Sequence, residues 1–121
     1  MLSQVIEMER IVEQGLLYDF YGMLLTMHQR EIYEGVVFHD FSVSEIAKEQ
    51  GISRQGVHDM IKRCDRILRN YEEKLKLVEK FMKTRQMVEE IHSLTKEFKR
   101  CQDPHLIERI ERISDDILNL G

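Results

Sequence analysis

Between Arg54 and Arg69 the chain carries side chains whose types and spacing suit the recognition of a nucleic acid. Arg54 and Lys62 only donate hydrogen bonds, Gln55 donates and accepts, and a neutral imidazole such as that of His58 does the same through its two ring nitrogens. Arg or Lys matches the edge of guanine, and Gln matches adenine. Arg63, Arg66 and Arg69 add positive charge that can meet backbone phosphates and release counterions. Asp59 lies among them; it repels phosphates, and the base group it matches is the amino group of cytosine.

Other chemistry is poorly supplied. His28, His39, His58, His92 and His105 form no HxxxH or HExxH arrangement, so no metal site is expected. Cys64 and Cys101 are far apart, lack metal-ligand spacing, and read as reduced thiols of a cytoplasmic protein. No nucleophile, base and orienting group stand in a familiar pattern, and there is no glycine-rich phosphate loop. The chain is therefore not expected to be an enzyme or to need a cofactor. Adjacent carboxylates such as Glu89 and Glu90, or Asp115 and Asp116, diverge by about 100° on a helix and read as solvated surface.

The candidate side chains need a helix to hold them, and the stretch SVSEIAKEQGISRQGVHDMIKR (Ser42 to Arg63) supplies it. Ser42 with Glu45 three residues on predicts a capping box, followed by a helix from Val43 to Gln50. Val43, Ile46 and Ala47 share one face of it, and Ala47 is small where a second helix must cross. Gly51 follows, where a left-handed backbone is cheapest for glycine. Ile52 fills the angle between the helices and Ser53 caps the second one. Val57, Met60, Ile61 and Cys64 are spaced to face a core. Arg54, Gln55, His58, Asp59 and Lys62 are left on the outer face, in the part of a recognition helix that contacts bases. The pattern is a helix-turn-helix.

Composition frames that unit. The 121 residues include one proline, six glycines and no tryptophan, which favours an all-α protein. Residues 1–41 carry a net charge of −5, residues 42–70 of +2 and residues 71–121 of −1. The motif is thus the only basic segment of an acidic chain, and a modest one, so firm DNA binding is expected to need dimerisation. No apolar run of membrane-spanning length exists, and the acidic, amphipathic start MLSQVIEMER does not read as a signal peptide.

The flanks read as helices. Val5, Met8, Val12, Leu16, Leu17, Phe20, Leu24 and Leu25 predict one helix from Leu2 to Leu25, with Gly15 its weak point. Thr26 and Gln29 predict a capping box before a helix from Met27 to Phe38 that buries Ile32, Val36 and Val37. Phe20, Tyr21, Tyr33, Phe38 and Phe41 are expected in the core, with a stacking platform for bases as the alternative. No Pro or Gly occurs from Val57 to Gln102, where Tyr71, Leu75, Val78, Met82, Val88, Ile91, Leu94 and Phe98 keep a helical stripe. Asp103 predicts a cap for a helix starting at Pro104. Leu106, Ile110, Ile113, Ile117 and Leu120 then form a coiled-coil-like seam. Residues 1–75 are read as the helix-turn-helix domain. Residues 76–121 are read as a helical extension that packs on the core or forms a homodimer interface.

The stretch Leu16 to Leu75, with DFYG, LLT and SVSEIAKEQGISRQGVHDMIKR, resembles the YlxM-like family of small bacterial helix-turn-helix proteins. Genes of that family neighbour those of the signal recognition particle GTPase and its receptor. The resemblance therefore implies a regulatory or direct role in that pathway, with a particle component as a partner. The same stretch is similar to region four of sigma factors. There the arginine at the place of Arg54 reads a guanine or a phosphate, Gln55 replaces a glutamate, His58 an arginine, and Asp59 a glutamine. Two functions follow. One is a DNA-binding regulator using Arg54, Gln55, His58, Lys62, Arg63 and Arg66. The other is a helical adaptor that binds a protein or RNA of the targeting machinery without specific DNA readout.

Overall fold

A computed structural model describes residues 2–121, with side-chain surroundings from Glu9 onward. Six α-helices follow one another, and there is no strand among the described residues. They are α1 (Leu2–Tyr21), α2 (Met27–Tyr33), α3 (Val43–Gln50), α4 (Arg54–Leu75), α5 (Leu77–Cys101) and α6 (Pro104–Leu118). They fall into two compact units, Met1–Lys76 and Leu77–Gly121.

In the first unit α1, α2 and α3 all pack on α4. Ile32, Ile46, Ala47 and Val57 form one buried cluster, with Val36, Val43, Ile52, Met60 and Ile61 packed against it. Leu17, Tyr21, Leu25, Tyr33, Cys64 and Leu68 are buried too. Fully burying one aliphatic side chain such as Ile32 or Leu68 stabilises the fold by about 1.5–3 kcal/mol. Val5 and Met8, assigned from sequence to the apolar stripe of α1, lie outside the residues whose side chains are described.

The first helix stops four residues short of the expected Leu25. After Tyr21 the chain tightens into a 3₁₀ turn over Gly22–Leu24, and extended backbone at Leu25 leads to Thr26. Thr26 and Gln29 close the predicted capping box with both bonds. The second helix also changes form. Beyond Tyr33 it widens into a π turn, Glu34–Phe38, in which the His39 N–H donates to the Glu34 carbonyl at 3.0 Å. Gly35 is buried there because α3 comes close; a Cβ on it would stand 2.7 Å from Ile46 Cδ1. Asp40 then takes a left-handed φ of 56° and turns the chain toward Ser42.

Only the tyrosines of the expected aromatic core are buried. Tyr21 and Tyr33 are fully enclosed, whereas Phe20, Phe38 and Phe41 are 38–50% exposed. Tyr18 stacks on Tyr33 with ring centroids 5.5 Å apart, and its hydroxyl donates to Glu34. A phenol can sit at the end of a core because its hydroxyl finds a carboxylate: Tyr21 donates to Glu72 at 2.6 Å and Tyr33 to Asp65 at 2.7 Å.

The apolar stripe beyond Val57 is not continuous helix. Lys76 adopts a left-handed φ of 54° and ends α4. The second unit is a helical hairpin of α5 and α6. Gln102, with φ 56°, reverses the chain, and the Asp103 carboxylate accepts from the His105 N–H at 3.0 Å with Pro104 in the first turn. Leu106 is buried and Ile110, Ile113, Ile117 and Leu120 are half-buried, while every other residue of α6 is exposed. The predicted seam therefore lies against α5, where Leu94 is buried and Ile91 and Phe98 are half-buried.

Candidate nucleic-acid interface

The geometry of the motif is set by three local contacts. The Ser42 hydroxyl accepts from the Glu45 N–H at 3.1 Å and starts α3; the reciprocal bond from the Ser42 N–H to the Glu45 side chain is not made, so Ser42 caps the helix without closing the expected box. Gly51 ends α3 at φ 69°, and the Ile52 N–H reaches back to the Ala47 carbonyl at 3.0 Å. That left-handed step is the turn of the helix-turn-helix. The Ser53 hydroxyl then accepts from the Gly56 N–H at 2.9 Å and starts α4.

From that start α4 is divided lengthwise. Val57, Cys64 and Leu68 are 0% exposed, with Met60 and Ile61 half-buried beside them. On the other side Arg54, Gln55, His58, Asp59, Lys62, Arg63, Arg66 and Arg69 are all exposed. At about 100° per residue, Gln55, Lys62 and Arg66 lie opposite the buried stripe, with His58 and Arg69 close by. Arg54 and Arg63 are nine positions apart and so fall on opposite flanks, about 180° from one another. Arg54, His58, Lys62 and Arg66 thus share a ridge, and Arg63 does not belong to it.

The charges on this surface are available. Among the described residues no ion pair engages Arg54, Lys62, Arg63, Arg66 or Arg69. The two carboxylates of the same helix face have other partners. Asp59 accepts from Gln55 Nε2 at 3.0 Å. Asp65 is half-buried and accepts from the Tyr33 hydroxyl at 2.7 Å and from Gln14 Nε2 at 3.2 Å. Burial and the Asp65 charge push the Tyr33 phenol far above its ordinary value, so it stays a donor. Asp65 thus bonds to residues of α1 and α2, and together with Lys62, Arg66, Arg69 and Asn70 it lines an open recess on this side of α4.

The Gln14–Asp65–Tyr33 chain has no signature in the sequence, because its members lie 51 and 32 positions apart. The Gln55–Asp59 bond does have one, an amide and a carboxylate one helical turn apart. No group of three or more His, Cys, Asp or Glu side chains that could hold a metal exists among the described residues. No helix among them is long and apolar enough to cross a membrane.

Comparison with known proteins agrees with this geometry. The family described as "Putative helix-turn-helix protein, YlxM / p13 like" matches residues 8–110. A UPF0122 protein of Acetivibrio thermocellus is 38% identical over 115 residues, covering 92% of this chain and 98% of its own. A UPF0122 protein of Thermoanaerobacter sp. (strain X514) is 42% identical over 107 residues, covering 88% of this chain and 92% of its own. UPF0122 protein YlxM of Bacillus subtilis is 37% identical over 107 residues, covering 88% of this chain and 97% of its own.

Proposed function

The chain belongs to the YlxM/p13-like family of helix-turn-helix proteins, and from that premise we propose that it is a DNA-binding regulatory protein without catalytic activity. The observation that carries the proposal is the exposed outer face of α4, whose arginines and lysine have no intramolecular ion pair among the described residues. The first turns of such a helix enter the major groove, so Arg54, Gln55 and His58 stand where base edges are read. Lys62, Arg66 and Arg69 lie farther along the helix and meet the phosphates that flank the groove. Arg63, on the far flank, meets phosphate of the opposite groove wall. Pairing of two chains doubles these contacts and compensates for a net charge of −4. The place of this activity in the signal recognition particle pathway is proposed from the family resemblance.

The test is fluorescence anisotropy on genomic duplex fragments, with wild type beside Arg54→Ala. Loss of the guanine contact should weaken binding to a preferred site by about five- to 150-fold, corresponding to roughly 1–3 kcal/mol. Arg66→Ala should weaken all sequences alike and reduce the salt slope by about one. Binding that ignores both Arg54→Ala and every change of DNA sequence would refute specific readout. Recovery of the targeting GTPase or its RNA in place of DNA would instead support the adaptor reading.

A further inference from the structure

Gln55 and Asp59 stand one turn apart on the outer face of α4, joined by the bond from Gln55 Nε2 to Asp59 Oδ1 at 3.0 Å. The chemistry of the partner orients the amide. An ionised carboxylate only accepts, so the amide nitrogen must face it and the amide carbonyl must turn away. The bond supports the helix start, as amide–carboxylate pairs at this spacing do. It also changes what the face offers to a ligand.

A free glutamine presents a donor and an acceptor side by side, which is the complement of adenine. Here one amide proton is committed to Asp59. The lone pairs of Gln55 Oε1 and Asp59 Oδ2 make the pair predominantly an acceptor. In the major groove adenine shows an N7 acceptor beside its amino group, guanine shows two acceptors, and thymine shows O4. Cytosine alone shows an amino donor with no acceptor on its own edge. A carboxylate brought against N7, O6 or O4 loses water and meets repulsion, whereas against the cytosine N4 amino group it is matched.

We propose that Gln55 and Asp59 act as one acceptor unit that selects cytosine in the major groove, Asp59 being the residue that diverts Gln55 from adenine. The inference rests on the DNA-binding function proposed above. Arg54, next in the chain, remains a donor for guanine, so the contacted steps are expected to be G·C pairs.

The experiment is selection of binding sites by the full chain from a randomised duplex DNA pool, run in parallel with Asp59→Ala and Asp59→Asn. Both substitutions fall at an exposed position, and circular dichroism of each variant checks that it folds. Wild type should enrich cytosine over adenine at one position by about tenfold. Asp59→Ala should transfer that preference to adenine while binding persists, and Asp59→Asn should lose the cytosine selectivity. Sites enriched by wild type with adenine at that position, or a cytosine preference that survives both substitutions, would overturn this inference and leave DNA binding standing. Enrichment of no duplex by wild type would overturn both.

Discussion

A methyl group added at Gly51 and the same group added at Gly15 should change stability in opposite directions. At either position a Cβ meets nothing within 4 Å, so packing cancels from the comparison. Gly51 holds φ 69° and ψ 31°, a conformation that costs an L-residue about 1–2 kcal/mol. Removing glycine's freedom from the unfolded chain returns about 0.4–1 kcal/mol, which leaves Gly51→Ala less stable by about 1 kcal/mol. Gly15 lies within α1, where alanine is favoured over glycine by about 0.8–1 kcal/mol. The two variants should therefore differ by about 2 kcal/mol. Both changes fall in the first unit and are read by urea unfolding followed by far-ultraviolet circular dichroism. Their midpoints should separate by about 1 M urea, Gly15→Ala above wild type and Gly51→Ala below, with the slope unchanged. Gly51→Asn should recover part of the loss, since asparagine tolerates left-handed backbone. Shifts of the same sign, or a Gly51→Ala variant as stable as wild type, would refute the turn geometry on which the projection of α4 depends.

The two thiols should behave differently. Cys101 is exposed and Cys64 is fully buried, so a maleimide at neutral pH should label one thiol quickly and the second only on unfolding. Burial, followed by the Asp65 charge, pushes the Cys64 thiol from 9.0 up to about 11, so the native state keeps a proton that the unfolded chain releases. That stabilisation is full below 9.0 and is lost as the pH rises toward about 11, and thermal melts of Cys64→Ala should show a shallower alkaline decline than wild type. Tyr33→Phe deletes the hydroxyl that donates to Asp65 at 2.7 Å while Gln14 remains a donor. A loss of about 1–2 kcal/mol is expected in urea unfolding, and no loss would show that the Tyr33 bond is dispensable.

Elements with local chemistry were legible in the sequence. Thr26, Ser42, Ser53 and Asp103 cap the helices they were expected to cap, because a hydroxyl or carboxylate beside its own chain's first turn needs no distant partner. Gly51 was legible for the same reason. The π turn at Glu34–Phe38 was not, since its wider register comes with the approach of Ile46 to Gly35, a contact between segments that neither residue type announces. A division of the chain between residues 75 and 76 is expected from the sequence, but no residue type there announces the end of a helix, since the left-handed position, Lys76, is a lysine in a run without Gly or Pro. The aromatic core was overdrawn because apolar type alone cannot tell which rings are enclosed; Tyr21 and Tyr33, each bonded to a carboxylate, are inside, and the phenylalanines of the loop and helix ends are at the surface. On the outer face of α4 the residue types were legible. The pairing of Gln55 with Asp59, and the separation of Arg63 from Arg54, emerge only when positions are placed around the helix.

The arrangement of the tyrosines supplies a built-in optical label. With no tryptophan in the chain, the fluorescence excited in the near ultraviolet comes from Tyr18, Tyr21, Tyr33 and Tyr71, all of which belong to the first unit. The α5–α6 hairpin contributes to the amide signal but is dark in emission. Emission and ellipticity recorded on one sample will therefore report separately whether the helix-turn-helix unit and the hairpin melt together or in turn, without any dye or substitution.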